Sequence, residues 1–340
     1  LSGERFIVGL DAVGRELMEL LAEKAREGVR VRLLFDRFGS TAATFGGLFR
    51  RYRGIEGLGI VGWTQASPLK RHYQVNLRNH RKVAVIDGNE AFCGGVNLSQ
   101  SNRTKGPHPA IQDYHFRLRG PIVHELQYGF MRDWHFITPA NPEDLLQETY
   151  FPPLESEGRV SCRLLSSDPG VEFGVGWDAL FQTLTLAEKQ ILAVTPYFVP
   201  PFDVHRAFRA AALRGVDVRL VVPQRNNHWF AGMASRAFYQ ELLEAGVRIF
   251  HRPPPFMHAK ALIVDGRFVI VGSGNIDVRS LRLNYETNLV VCDEGFADEM
   301  KAVALNEIAV SQEVLLPEWR SRPFPHRFAE NFLALMSPVL

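Results

Sequence analysis

His80 and Lys82 stand two residues apart with Asp87 five further on, and the same spacing returns in His258, Lys260 and Asp265. Both stretches read H-x-K-x4-D, at a constant offset of 178. On an extended strand residues i and i+2 project to one side, so each spacing predicts an imidazole beside an ammonium at one end of a sheet. With 11 His, 7 Lys and 14 Asp in 340 residues, chance supplies one match about 0.01 times per chain and two independent matches roughly 10⁻⁴ times. One copy alone reads as an ordinary strand histidine and a solvated lysine. Two copies in one frame call for chemistry.

Two imidazoles and two ammonium groups suit the cleavage of a phosphodiester. That reaction needs a nucleophile, a proton donor for the leaving alkoxide, and positive charge for the equatorial oxygens of the transition state. One histidine attacks phosphorus and forms a phosphohistidine; the other protonates the departing oxygen, then deprotonates the incoming alcohol or water. Two displacements give retention at phosphorus, and the scheme requires no metal and no cofactor. Each copy ends on Gly-x-x-Asn, and Asn97 and Asn275 are the candidate donors to phosphate oxygens. Asp87 and Asp265 complete the candidate catalytic set, but strand parity turns them away and we expect them to stabilise a turn.

The elements that must position these groups are themselves duplicated. Residues 11–36 read as an amphipathic helix to Arg26, Gly28, and a strand from Val29 to Phe35; residues 203–223 repeat helix, Gly215 and a strand from Val216 to Val222. An apolar strand, Ile191 to Thr195, precedes the second copy, and Phe6 to Leu10 stands as a shortened counterpart before the first. Asp87-Gly88 and Asp265-Gly266, each between apolar runs, predict tight hairpins that need positive φ. Four prolines between Thr138 and Gly158 block helix and central strand, so the linker falls there. The expected architecture is α/β: two similar lobes, 1–138 and 159–340, joined by a linker at 139–158. Each lobe has a mixed central β-sheet flanked by helices, and the two are related by a pseudo-twofold axis.

Composition narrows the partners. A chain of 340 residues, 46% hydrophobic and 22% charged, has material for two cores. Lys+Arg 39 against Asp+Glu 37 is too balanced to hold nucleic acid by bulk charge, and no aromatic platform is interleaved with a long basic groove. Phosphate specificity must be local. Between residues 50 and 82 eight basic residues, Lys70 and Arg71 among them, face one acid, Glu56, as either a solvated face or an attractor of anionic headgroups. Cys93, Cys162 and Cys292 lie far apart and read as small buried hydrophobes. No apolar run is long enough to span a bilayer, and the start at Leu1, without a basic and then apolar leader, leaves room for a preceding anchor.

The twin motifs resemble the phospholipase D superfamily, and within it the bacterial cardiolipin synthases. The supporting stretches are 78–82, Gly120-Pro121, Asp133-Trp134, the run 272–281 and Asn284-Tyr285-Glu286, with the likeness running from about residue 6 to the tail Ser337–Leu340. This resemblance implies that one phosphatidylglycerol is attacked, glycerol leaves, and the phosphatidyl group passes to a second phosphatidylglycerol to make cardiolipin. It makes His80 the nucleophile and His258 the general acid and base of one active site shared by both lobes. An acid further along each lobe orients the histidine, and Asp113 and Glu286 stand at those positions. Before Asp113 the pair Ile111-Gln112 replaces the Trp that relatives carry. The partners implied are anionic phospholipid, glycerol and a membrane surface on its cytoplasmic side, with no nucleic acid. Hydrolysis to phosphatidic acid is the alternative, and a nucleic-acid phosphodiesterase a more distant one.

Other features have plainer readings. Phe328, Phe332 and Leu335 form one helical stripe that suggests packing on the body, with an interfacial membrane contact as the second reading. His72, His108, His115, His124, His135 and His228 have no partner at ligand spacing. Tyr197 and Trp229 read as core residues or as the lining of an acyl groove.

Overall fold

A computed structural model describes residues 1–63, 77–103, 110–169 and 174–336, so Lys70, Arg71, His72, His108 and the tail 337–340 lie outside the described residues. The chain forms two compact units. Unit 1 comprises Leu1–Ala110, Tyr114–Arg159 and Tyr285–Thr287; unit 2 comprises Ile111–Asp113, Val160–Asn284 and Asn288–Leu340.

In chain order unit 1 holds β1 (Ser2–Arg5), α1 (Ala12–Arg26), β2 (Val31–Asp36), α2 (Thr41–Phe45), β3 (Leu58–Trp63) and β4 (Arg78–Asn79). The hairpin of β5 (Val83–Ile86) and β6 (Glu90–Gly94) follows, then β7 (His115–Arg119), α3 (Ile122–Ile137) and the single turn α4 (Pro142–Leu145). Asp11 starts α1 by accepting the Gly14 amide at 3.0 Å, and Gly28 ends it at φ +90°, a conformation that suits a residue without Cβ. The sheet order is β3-β2-β1-β5-β6-β7, with β3, β2 and β1 parallel and the rest antiparallel. Alternation along β2 divides the core: Leu33 and Phe35 pack with Met18, Leu21 and Ala22 of α1, whereas Leu34 packs with Phe130, Met131 and Trp134 of α3.

Unit 2 opens with β8 (Ser161–Ser167), α5 (Val175–Leu186), β9 (Gln190–Val194), β10 (Phe198–Val199), α6 (Phe202–Leu213) and β11 (Asp217–Pro223). Next come α7 (Trp229–Ala237), α8 (Tyr239–Ala245), β12 (Arg248–Arg252) and the hairpin of β13 (Ala261–Val264) and β14 (Phe268–Gly272). Then follow β15 (Ile276–Asp277), α9 (Val278–Arg282), β16 (Asn284–Cys292), α10 (Glu294–Ala309), β17 (Gln312–Val314), α11 (Leu316–Arg320) and α12 (Phe324–Ala334). Here β12, β11 and β9 are parallel and β13, β14 and β16 continue antiparallel, the plan of unit 1 repeated. The mixed α/β class read from the sequence holds for each unit.

Three details differ from expectation. The first strand is Ser2–Arg5, not Phe6 to Leu10; the latter stretch is loop, anchored where Val8 bridges Leu98 and the Gly9 amide donates to the Leu98 carbonyl at 2.8 Å. The Pro-rich stretch 139–158 is no bare tether. Leu145 is buried with Trp63 and Trp134, and the Tyr150 hydroxyl accepts from Arg30 and Arg32, which brings the segment into unit 1. No disulfide joins the cysteines, and Cys93 is buried while Cys162 and Cys292 are half-buried rather than fully buried. Among the described residues no helix is long and apolar enough to cross a membrane.

Candidate active site

His80 and Lys82 do not sit inside a strand. They occupy the short connection between β4 and β5, where the His80 amide donates to the Tyr285 carbonyl at 2.9 Å. The residues on either side are pinned: the Asn79 side chain donates to Glu4, its own amide donates to Asp36 at 3.2 Å, and Arg81 forms a buried ion pair with Asp133. Burial, with Asp133 alongside, pushes the Glu4 carboxyl well above the usual carboxylate range. The imidazole held in this frame is itself buried. Its Nδ1 donates to the Glu286 carboxylate at 2.9 Å, and the edge of the ring meets Phe6 with centroids 4.6 Å apart. Lys82 is fully buried, its Nζ donating to the His80 carbonyl at 2.6 Å and lying 5.2 Å from the Phe6 ring centre.

Unit 2 repeats the arrangement with different residues. The His258 amide donates to the Gln112 carbonyl at 2.7 Å, and the Gln112 amide donates to Phe256 at 3.0 Å, so the 111–113 segment is stitched beside the histidine through its backbone. Nδ1 of His258 donates to the Asp113 carboxylate at 2.6 Å. Lys260 again donates to its histidine's carbonyl, with Nζ 2.7 Å from Nδ1 and 3.1 Å from Nε2. Tyr197 and Phe256 flank the ring at centroid distances of 6.2 and 6.0 Å.

A carboxylate on Nδ1 fixes the tautomer and leaves the lone pair on Nε2, the form a nucleophile or base requires. Each Gly-x-x-Asn ends in a buried amide. Oδ1 of Asn97 and Oδ1 of Asn275 are both buried and, among the described residues, lack hydrogen-bond partners. Asn275 donates to the Ser280 hydroxyl at 3.1 Å, and since a hydroxyl can also donate, the amide can turn and present its NH₂ group. A small cavity of unit 2 joins Lys260, Asn275 and Ser280 with Leu165, Leu180 and Ile270. No group of three or more His, Cys, Asp or Glu among the described residues is placed to hold a metal ion.

Residues 180–306 match the family model described as the phospholipase D-like domain of cardiolipin synthase. The cardiolipin synthase of Geobacillus kaustophilus is 36% identical over 345 residues, covering 99% of this chain and 67% of that protein. Cardiolipin synthase A of Pseudomonas aeruginosa is 38% identical over 336 residues, covering 98% and 67%. The chain belongs to the cardiolipin synthase family. A phosphatidylserine synthase of Haemophilus influenzae superposes with a TM-score of 0.72 at 15% identity, covering 99% of this chain and 89% of that one; at that identity the likeness concerns the fold.

For a member of the cardiolipin synthase family, the acids are paired in an order that the sequence did not disclose. Asp113 and Glu286 were expected to serve the histidine of their own half, yet Glu286 bonds His80 and Asp113 bonds His258. The physical reason is the exchange of two short segments, 285–287 into unit 1 and 111–113 into unit 2. The Ile111-Gln112 departure is absorbed because Gln112 acts through its backbone, while its side chain accepts from Arg252 at 2.6 Å. Asp87 and Asp265 lie in the hairpin turns at φ +52° and +55°, followed by Gly88 and Gly266. Asp265 accepts from the amides of Glu188, Lys189 and Gln190 at 2.7–2.9 Å; Asp87 is exposed. Phe6, Phe256 and Gln112 were missed, for they carry no motif. Tyr197, a core or groove residue by sequence, flanks the His258 ring.

Proposed function

We propose that this chain is a phosphatidyltransferase that makes cardiolipin from two phosphatidylglycerols and releases glycerol, through a phosphohistidine. Nε2 of His80 attacks phosphorus, the bond from phosphorus to the glycerol oxygen breaks, and His258 gives that oxygen its proton. A hydroxyl of the second phosphatidylglycerol then loses its proton to His258 and displaces His80, with configuration at phosphorus retained overall. Lys82 and Lys260 offset charge gathering on the equatorial oxygens, and Asn97 and Asn275 donate to them. The reading is carried by the duplicated pair of imidazole and buried carboxylate, His80 with Glu286 and His258 with Asp113, each beside a buried lysine.

The same reading sets the enzyme at the cytoplasmic surface of an anionic membrane. Phosphatidylglycerol vesicles incubated with the protein should yield cardiolipin and free glycerol in equal amounts, unchanged by chelator. Phosphatidic acid as the main product would make the chain a hydrolase instead, and DNA cleavage without lipid turnover would make it a nuclease. Loss of turnover on chelation would overturn the metal-free scheme.

A further inference from the structure

Helix α12 docks the wrong way round for a helix that packs by its apolar face. Phe324, Phe328, Phe332 and Leu335 are 73%, 61%, 59% and 76% exposed, while Glu330 is 3% exposed. Both oxygens of Glu330 accept from Arg322 at 2.7 Å, and Arg236 of α7 lies 4.0 Å away. At 100° per residue the four apolar side chains share one arc, continued by Met336, with Arg327 and Asn331 along its edge. The exposed residues of this helix include no acid, because the one acid it carries is turned inward and matched by arginine.

We propose that the apolar stripe of α12 is an interfacial membrane contact that seats the enzyme on an anionic bilayer, with Phe324, Phe328, Phe332 and Leu335 among the acyl chains and Arg327 at the phosphates. Two observations select lipid over a second copy of the chain. The exposed face combines apolar and cationic groups with no acid, which complements an anionic surface. Its extent is also small: a stripe on an 11-residue helix, about 16 Å long, offers on the order of 300 Å², against roughly 800 Å² per partner in a stable dimer. The proposal rests on the functional reading above only for the choice of lipid.

The test is flotation with vesicles of phosphatidylglycerol and phosphatidylcholine, and of phosphatidylcholine alone. The wild type should float with the first and far less with the second. Phe328→Ser combined with Phe332→Ser should lower partitioning at least tenfold without moving the thermal midpoint, and Arg327→Glu should lower it by roughly fivefold on anionic vesicles alone. Turnover of dihexanoyl-phosphatidylglycerol kept below its micelle threshold should be equal in wild type and double variant, while turnover of vesicle lipid falls. A double variant that floats like wild type overturns the proposal. So does a wild type that is dimeric without vesicles and becomes monomeric in the double variant. Should the wild type turn over neither substrate, the functional reading fails while the flotation result still judges the surface.

Discussion

An imidazole becomes a useful nucleophile when something holds the proton on its other nitrogen, and here Glu286 does this for His80 and Asp113 for His258. Replacing either acid by its amide should reverse the tautomer preference and lower kcat by on the order of 10³–10⁴-fold, as for other carboxylate-oriented histidines. Nitrogen-15 spectra of the two imidazoles separate the pairings: Glu286→Gln should shift the signals of His80 and leave those of His258, and Asp113→Asn the converse. A Glu286→Gln spectrum altered only at His258 would refute the crossed arrangement. The histidines and lysines were legible because their spacing is local and repeated. Their acid partners were legible as residues but not as pairs, since pairing depends on which distant backbone supplies the carbonyl for each histidine's amide. That carbonyl belongs to Tyr285 for His80 and to Gln112 for His258. Phe6 was hidden for another reason: an aromatic ring in a loop has no periodicity to betray its role.

At the scale of elements, hairpins and crossovers were plain in the sequence. Asp-Gly between apolar runs specified both motif hairpins, and Gly28 and Gly215 marked the helix ends before β2 and β11 at φ +90° and +91°. Directly after β13, Asp265 uses its carboxylate to cap the amides that lead into β9. Partial burial alone would raise its pKa, but those three amides hold it below the ordinary value. Its contribution is therefore complete above the unfolded pKa of about 4 and fades as pH falls through the lowered folded value. Asp265→Asn should cost about 1–2 kcal/mol near neutral pH and flatten the acid limb of the stability curve, with kcat of the folded fraction unchanged. Urea melts at several pH values check this, and a large fall in kcat at full folding would return Asp265 to the chemistry. The stripe on α12 was legible as a stripe but not as an exposed one. Periodicity reports which residues share a face, and the outward turn comes from the Glu330–Arg322 pair, whose two residues lie eight apart.

Across the whole molecule, a near-neutral chain of a phospholipid-synthesising family keeps its decisive charges local. Lys82 and Lys260 are buried beside their histidines, and the net charge of +2 is incidental to them. Duplication supplies each unit with the same set of groups, and the chemistry proposed uses the two sets for different roles, His80 for attack and His258 for proton transfer. Such a division of labour between equivalent residues is what the chemistry turns on. It is tested most directly with phosphatidylglycerol labelled at phosphorus, mixed with His80→Ala or His258→Ala protein and quenched in denaturant. Stable label is expected on His80 in the His258→Ala protein and none in the His80→Ala protein. Label on His258 in the His80→Ala protein, with none on His80 in the other, would contradict that assignment of roles.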